Sequence, residues 1–173
     1  TERYAQTDTR RFTGMDFIMT NSLPMSSDLS LNTPLVATRF DGENQYPFLL
    51  WLYGAEYMFI ADKVTRQFMG RMCDAYKPGT QWIAYKVGES SGFMVPETHE
   101  IMYLEWGLNY FNANVSPEAA GIIVTLFAMQ WCFERTCKNG EDDMGEKIVA
   151  AMDELKRYAG TLSESRRIFE AID

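Results

Sequence analysis

The chain has 173 residues, of which 46% are apolar and 23% charged, a composition that excludes wholesale disorder, collagen and a disulfide-scaffold mini-protein. It carries 16 basic and 24 acidic residues, for a formal charge of −8. That balance argues against a duplex-DNA binder, which displaces counterions with an excess of Lys and Arg. It is also too mild to announce a DNA mimic by itself.

Residues 1–31 are rich in Thr, Ser, Asn and Asp and show no sustained apolar period. They read as a flexible or loosely packed N-terminal arm without the apolar core of a signal peptide, ahead of one domain over residues 32–173. From about Phe48 to Tyr76 apolar residues fall at helical spacing, with Tyr57, Ile60, Val64, Phe68 and Met72 on one face. Lys77-Pro78-Gly79 is expected to end that helix. Gln81–Val87, Phe93–Val95 and Ile101–Trp106 read as three short strands of an antiparallel meander, broken at Glu89–Gly92 and Pro96–His99. Asn109–Val115 reads as a polar loop.

Ser116-Pro117-Glu118 is the clearest helix start in the chain. Serine caps free N–H groups, proline suits the first turn, and glutamate meets the positive end of the dipole. The apolar segment that follows is expected to be the central buried helix, stopped by Asn139-Gly140. Glu141-Asp142-Asp143 opens another helix, with Met144, Ile148, Met152, Leu155 and Ala159 as its buried stripe and Gly160 as its end. Ser163-Glu164-Ser165 is expected to cap a last short helix. The sum is an α+β fold: a single compact domain with a small antiparallel sheet of about three strands packed with about four helices.

The chemistry-bearing residues are sparse. Cys73, Cys132 and Cys137 form no disulfide framework and read as small buried hydrophobes in a reducing cytoplasm. His99 is the only histidine, and its place between expected strands reads as a surface turn. No phosphate loop, dinucleotide fingerprint or nucleophile elbow is present, so no catalytic, cofactor-binding or metal-binding residue is assigned. No apolar run reaches the ~18–20 residues of a membrane span. Trp82, Tyr85, Phe93, Tyr103 and Trp106 read as core rather than as a stacking platform, since only Lys77 and Lys86 lie nearby to track phosphates.

Glu141, Asp142, Asp143 and Glu146 form the sharpest charge feature. Its ordinary reading is helix-start electrostatics. Its functional reading is a patch that meets a basic protein surface, extended by Glu170 and Asp173 if the fold brings them near.

Several segments together resemble the antirestriction proteins of the ArdB/KlcA type. They run from Asn32-Thr33-Pro34-Leu35-Val36-Ala37-Thr38 through Phe48-Leu49 and Leu52-Tyr53-Gly54. Cys73-Asp74-Ala75-Tyr76, Trp82, Ala84-Tyr85 and Gly92-Phe93-Met94-Val95-Pro96 follow. Ser116 to Leu126 and the ending Ser165, Ile168-Phe169, Ala171-Ile172-Asp173 complete the series. Leu50, Lys77–Gln81 and Ser91-Gly92 depart from the family's pattern, at positions that concern local turns.

The resemblance implies a protein of a mobile genetic element that protects incoming unmodified DNA from type I restriction in the bacterial cytoplasm. It implies no enzyme activity and no cofactor. The implied partner is the type I restriction-modification complex or a host factor linked to it. The charge balance and the short apolar runs above give no expectation of direct duplex-DNA binding or of a membrane partner. The oligomeric state stays open. Two alternatives stay open beside it: an acidic DNA mimic that binds the restriction enzyme directly, and an adaptor or regulatory protein of a mobile element. An undetected hydrolase would have to be built on His99.

Overall fold

The structure, a computed structural model, describes residues 34–42 and 44–173. The arm expected over residues 1–31 lies outside them. Helix α1 spans Tyr46–Met72, with proline in its first turn and the Asn44 side-chain oxygen accepting the Tyr46 N–H at 3.0 Å. It bends at Gly54, whose φ of 72° is available to glycine at little cost. Just before the bend, the Trp51 carbonyl accepts a 2.7 Å hydrogen bond from Lys147 Nζ. Tyr57, Val64 and Met72 of the expected stripe are buried, and Ile60 and Phe68 are half-buried. The helix ends at Cys73, ahead of Lys77-Pro78-Gly79.

The strands divide into two antiparallel sheets rather than one meander. β2 (Trp82–Val87) and β3 (Ser91–Pro96) pair from Trp82↔Pro96 to Val87↔Ser91, and β1 (Ala37–Arg39) joins the other edge of β2. β4 (Met102–Trp106) does not add to β3. It pairs with β5 (Phe111–Val115), in register from Met102↔Val115 to Trp106↔Phe111. The expected loop over Asn109–Val115 is therefore corrected. Phe111 and Val115 are buried and Ala113 half-buried, alternating with exposed Asn112 and Asn114, the signature of a half-buried strand. Asparagine is a poor strand former, and pairing with β4 overrides that preference.

Helix α2 (Pro117–Asn139) begins as its sequence foretells: the Ser116 hydroxyl accepts the Ala119 N–H at 3.1 Å. It ends on Gly140 in the left-handed region, at φ 71°. It runs so close to β3 that a Cβ on Gly121 would stand 2.3 Å from the Met94 carbonyl oxygen. Helix α3 (Asp142–Ala159) buries Ile148, Met152, Leu155 and Ala159, and α4 (Ser165–Ile172) buries Ile168 and Ala171. Glu164 caps α4 with no side-chain bond; its carboxylate reaches Ser116 instead. The core lies between α1, α2, α3 and the larger sheet, around Leu49, Leu52, Phe93, Ile122, Met129 and Leu155. Burying each such side chain contributes roughly 1.5–3 kcal/mol. The whole is the expected α+β domain with four helices, its small antiparallel sheet split in two.

Candidate functional site: the cleft between α2 and α3

Helix α3 begins two residues after α2 closes on Gly140, so the two helices lie side by side. Gly145 permits the approach: a Cβ there would stand 3.1 Å from the Thr136 hydroxyl. On the solvent side the pair opens into a cleft of about 510 Å³. Phe133, Thr136 and Cys137 line it from α2, and Asp142, Glu146, Val149, Ala150 and Asp153 from α3. Their spacing along α3 places the three carboxylates along one face over about 16 Å, at 1.5 Å per residue. Asp142, Glu146 and Asp153 are exposed and make no ion pair among the described residues. Val149 and Ala150 give the stripe an apolar stretch between Glu146 and Asp153.

Glu141 stands apart in its chemistry. Its carboxylate accepts a 2.5 Å hydrogen bond from the Tyr57 hydroxyl and a 3.1 Å bond from Asn139 Nδ2. Asn139 also donates to the Tyr57 oxygen at 3.3 Å. Burial, followed by the bond to Glu141, pushes the Tyr57 hydroxyl up to about 12. This joint fastens α1 to the α2–α3 turn and engages one of the six acidic residues singled out in the sequence. Asp143 is exposed in the first turn of α3 and does not line the cleft.

Glu170 and Asp173 belong to another part of the surface. Their helix α4 packs on α2 and β5, and Glu164 fastens its start to Ser116 at the start of α2. The cleft follows the opposite end of α2, a helix of 23 residues and about 34 Å. Glu170 is held by Arg166 at 2.7 Å, and Asn109 Nδ2 donates to its backbone oxygen at 3.2 Å. The structure thus brings Asp142 and Glu146 together with Asp153, which the sequence reading missed. Its spacing of seven from Glu146, two helical turns on the same face, is the signal that finds it.

The remaining chemistry is equally plain. Cys73 and Cys132 are buried as expected, and burial pushes the Cys132 thiol up to about 12. Cys137 departs from expectation: it is exposed and lines the cleft. Trp82 and Phe93 are buried and Tyr85 and Trp106 half-buried, whereas Tyr103, expected in the core, is exposed. His99 is exposed in the β3–β4 connection and makes no side-chain hydrogen bond among the described residues. No three His, Cys, Asp or Glu side chains among the described residues converge in a metal-holding group. No described helix is long and apolar enough to cross a membrane. What the cleft offers is a row of free carboxylates beside an apolar stretch, suited to a cationic protein surface.

A family model described as antirestriction protein matches residues 74–173. An antirestriction protein KlcA of Escherichia coli is 31% identical over 150 residues, spanning 85% of this chain and 99% of that protein. A second antirestriction protein KlcA of Escherichia coli is 24% identical over 140 residues, spanning 81% of this chain and 96% of its own length. The fold matches a solved structure from the KlcA and ArdB proteins at a TM-score of 0.70 and 25% identity, over 82% of this chain and 96% of that one. Those proteins are described as having a novel fold and antirestriction activity against type I DNA restriction systems in vivo but not in vitro. This chain belongs to the antirestriction protein family, of the ArdB/KlcA type.

Proposed function

We propose that this chain protects incoming unmodified DNA of a mobile genetic element from type I restriction-modification systems in the bacterial cytoplasm, without catalysis. The contact that does so is centred on the α2–α3 cleft, with Asp142, Glu146 and Asp153 meeting a basic protein surface and Asp143 outside the cleft adding to the field at its edge. That surface belongs to the restriction-modification complex or to a host factor linked to it.

The observation that carries this reading is the row of unpaired carboxylates along one face of α3, in a chain whose relatives are antirestriction proteins. The activity described for the KlcA and ArdB proteins in vivo but not in vitro favours a host component in the contact. A DNA mimic fits less well. Duplex DNA presents one charge per ≈ 1.7 Å of axis, or about nine over the ~16 Å that three cleft carboxylates occupy. Direct binding to duplex DNA or to a membrane has no support in this acidic surface.

The test is plating of unmodified and modified phage on cells with an active type I system, with and without this protein. Restored plating of unmodified phage alone is expected. No restoration by folded, expressed protein contradicts the proposal. Reversal of Glu170 and Asp173 in the same assay asks whether α4 joins the contact: a loss of protection extends the contact to α4, and unchanged protection confines it to the cleft.

A further inference from the structure

We infer that this chain forms a two-fold dimer in which the tip of the β4–β5 hairpin of each copy enters a cleft beside the tip of the other. The tip is Gly107-Leu108-Asn109-Tyr110. Leu108 is 83% exposed and Tyr110 88%, the two most exposed large apolar side chains among the described residues. Tyr110 also holds a φ of 60°, a left-handed conformation that is unusual for a bulky residue. The frame that holds it there is explicit. Asn109 Nδ2 donates to the carbonyls of Glu170 and Ala171 at 3.2 and 3.0 Å, and Asn109 Oδ1 accepts the Phe111 N–H at 3.1 Å. Asn112 Nδ2 donates to the Tyr110 carbonyl at 3.2 Å. The tip is therefore tied to α4 while its two apolar side chains stand in solvent.

Directly beside it lies a cleft of about 410 Å³ between the end of α1 and β4. Arg71 and Asp74 line it from the α1 side, and Tyr103, Glu105, Trp106 and Gly107 from the hairpin. Its size is in the range of pockets that take a small molecule, so a leucine or tyrosine side chain fits. A two-fold contact uses the same patch on both copies, so the patch must carry both halves of each contact. This one does. The projecting tip and the receiving cleft are neighbours in sequence, joined at Gly107. The patch also presents both signs, with Arg71 on one side and Asp74 and Glu105 beside it. Among the described residues neither Arg71 nor Glu105 takes part in an ion pair, and a two-fold axis sets Arg71 of each copy against the partner's Glu105. Tyrosine, tryptophan and arginine are also the side chains that dominate protein interfaces.

Sedimentation equilibrium of the full chain over a range of concentrations tests this. A reversible monomer–dimer equilibrium is expected. Arg71→Glu and Glu105→Arg are each expected to be monomeric alone, because each homodimer then faces two like-charge contacts. Their equimolar mixture is expected to associate, because every contact in the mixed dimer is again of opposite sign. Tyr110→Asn is expected to raise the melting temperature of the chain at dilutions where it is monomeric, since asparagine adopts positive φ more readily, while weakening association about tenfold or more. A wild-type chain that stays monomeric up to its solubility limit overturns the inference. So does a mixture of the two charge variants that associates no better than either alone.

Discussion

The Tyr57 hydroxyl donates a 2.5 Å hydrogen bond to the carboxylate of Glu141, 84 positions further along the chain. Asn139 closes the triangle through one bond to each of them. The α2–α3 turn, and with it the start of α3, is thereby registered against α1. Tyr57→Phe is expected to cost about 1–3 kcal/mol, the range for removing a part-buried hydrogen bond to a charged acceptor. Urea unfolding measures it. A loss below about 0.5 kcal/mol, the level of an ordinary surface change, would show that the turn does not depend on this joint.

The same tyrosine and Cys132 contribute to the alkaline limit of stability, beside Tyr53 and Tyr158, whose hydroxyls burial also pushes up. Burial and the Glu141 bond push Tyr57 from 10.0 up to about 12, and burial pushes Cys132 from 9.0 up to about 12. In both cases the neutral form is favoured in the fold. Their contribution is fully present below pH 9, begins to fall as an unfolded thiol and then phenol would ionise, and is lost as pH passes about 12. Unfolding free energy is expected to decline between pH 9 and 12, and Cys132→Ala to flatten the first part of that decline. A profile unchanged by the substitution would contradict the assignment.

Acid acts on a different joint. Glu154, on the side of α3 away from the cleft, accepts the Ser90 N–H at 2.8 Å, the Ser90 hydroxyl at 2.6 Å and the Glu89 N–H at 3.4 Å. Burial pushes its carboxyl up, but these bonds and Arg157 outweigh burial and hold it below the ordinary 4.5. A depressed carboxyl stabilises above its unfolded value, and that stability is lost as pH falls through the folded value. Stability is expected to drop below pH 4.5, and Glu154→Gln to remove most of that dependence while lowering stability at pH 7. Equal acid slopes for the two proteins would show that other carboxylates govern acid unfolding.

Gly121 separates helix propensity from packing. Ala in place of a mid-helix Gly ordinarily gains about 1 kcal/mol. Here the added Cβ would lie 2.3 Å from the Met94 carbonyl oxygen and 3.1 Å from the Val95 Cα, both backbone atoms that cannot swing aside. Gly121→Ala is therefore expected to destabilise by about 1–3 kcal/mol, the usual range for overpacking. A gain in thermal stability would contradict the close approach of α2 to β3.

The helices were legible because their signals are local. Ser116-Pro117-Glu118 marks the start of α2, Gly140 its end, and the 3.6-residue period of α3 shows its buried stripe. The strand pairing was less legible because partners are chosen in space. Three apolar runs separated by turns suit a meander, but β4 takes β5 as its neighbour, and asparagines at 112 and 114 disguise that strand. The candidate site divides in the same way. The acidic start of α3 can be read directly, and Asp153 follows from helix geometry. That Glu141 is engaged by Tyr57, and that Glu170 and Asp173 sit with α4 on β5, depends on long-range packing that no local pattern encodes.

The central claim rests on the cleft, and its most direct test is charge reversal there. Asp142, Glu146 and Asp153 are exposed, so replacing all three with lysine is expected to cost under about 0.5 kcal/mol at each position, with a little more at Asp142 in the first turn of α3. Circular dichroism and urea unfolding confirm the fold. Plating of unmodified phage on a type I restricting host then compares this variant with the wild-type chain at equal expression. Loss of most of the protection by the folded variant is the expected result. Full protection by the folded variant would contradict the assignment of the contact to the α2–α3 cleft.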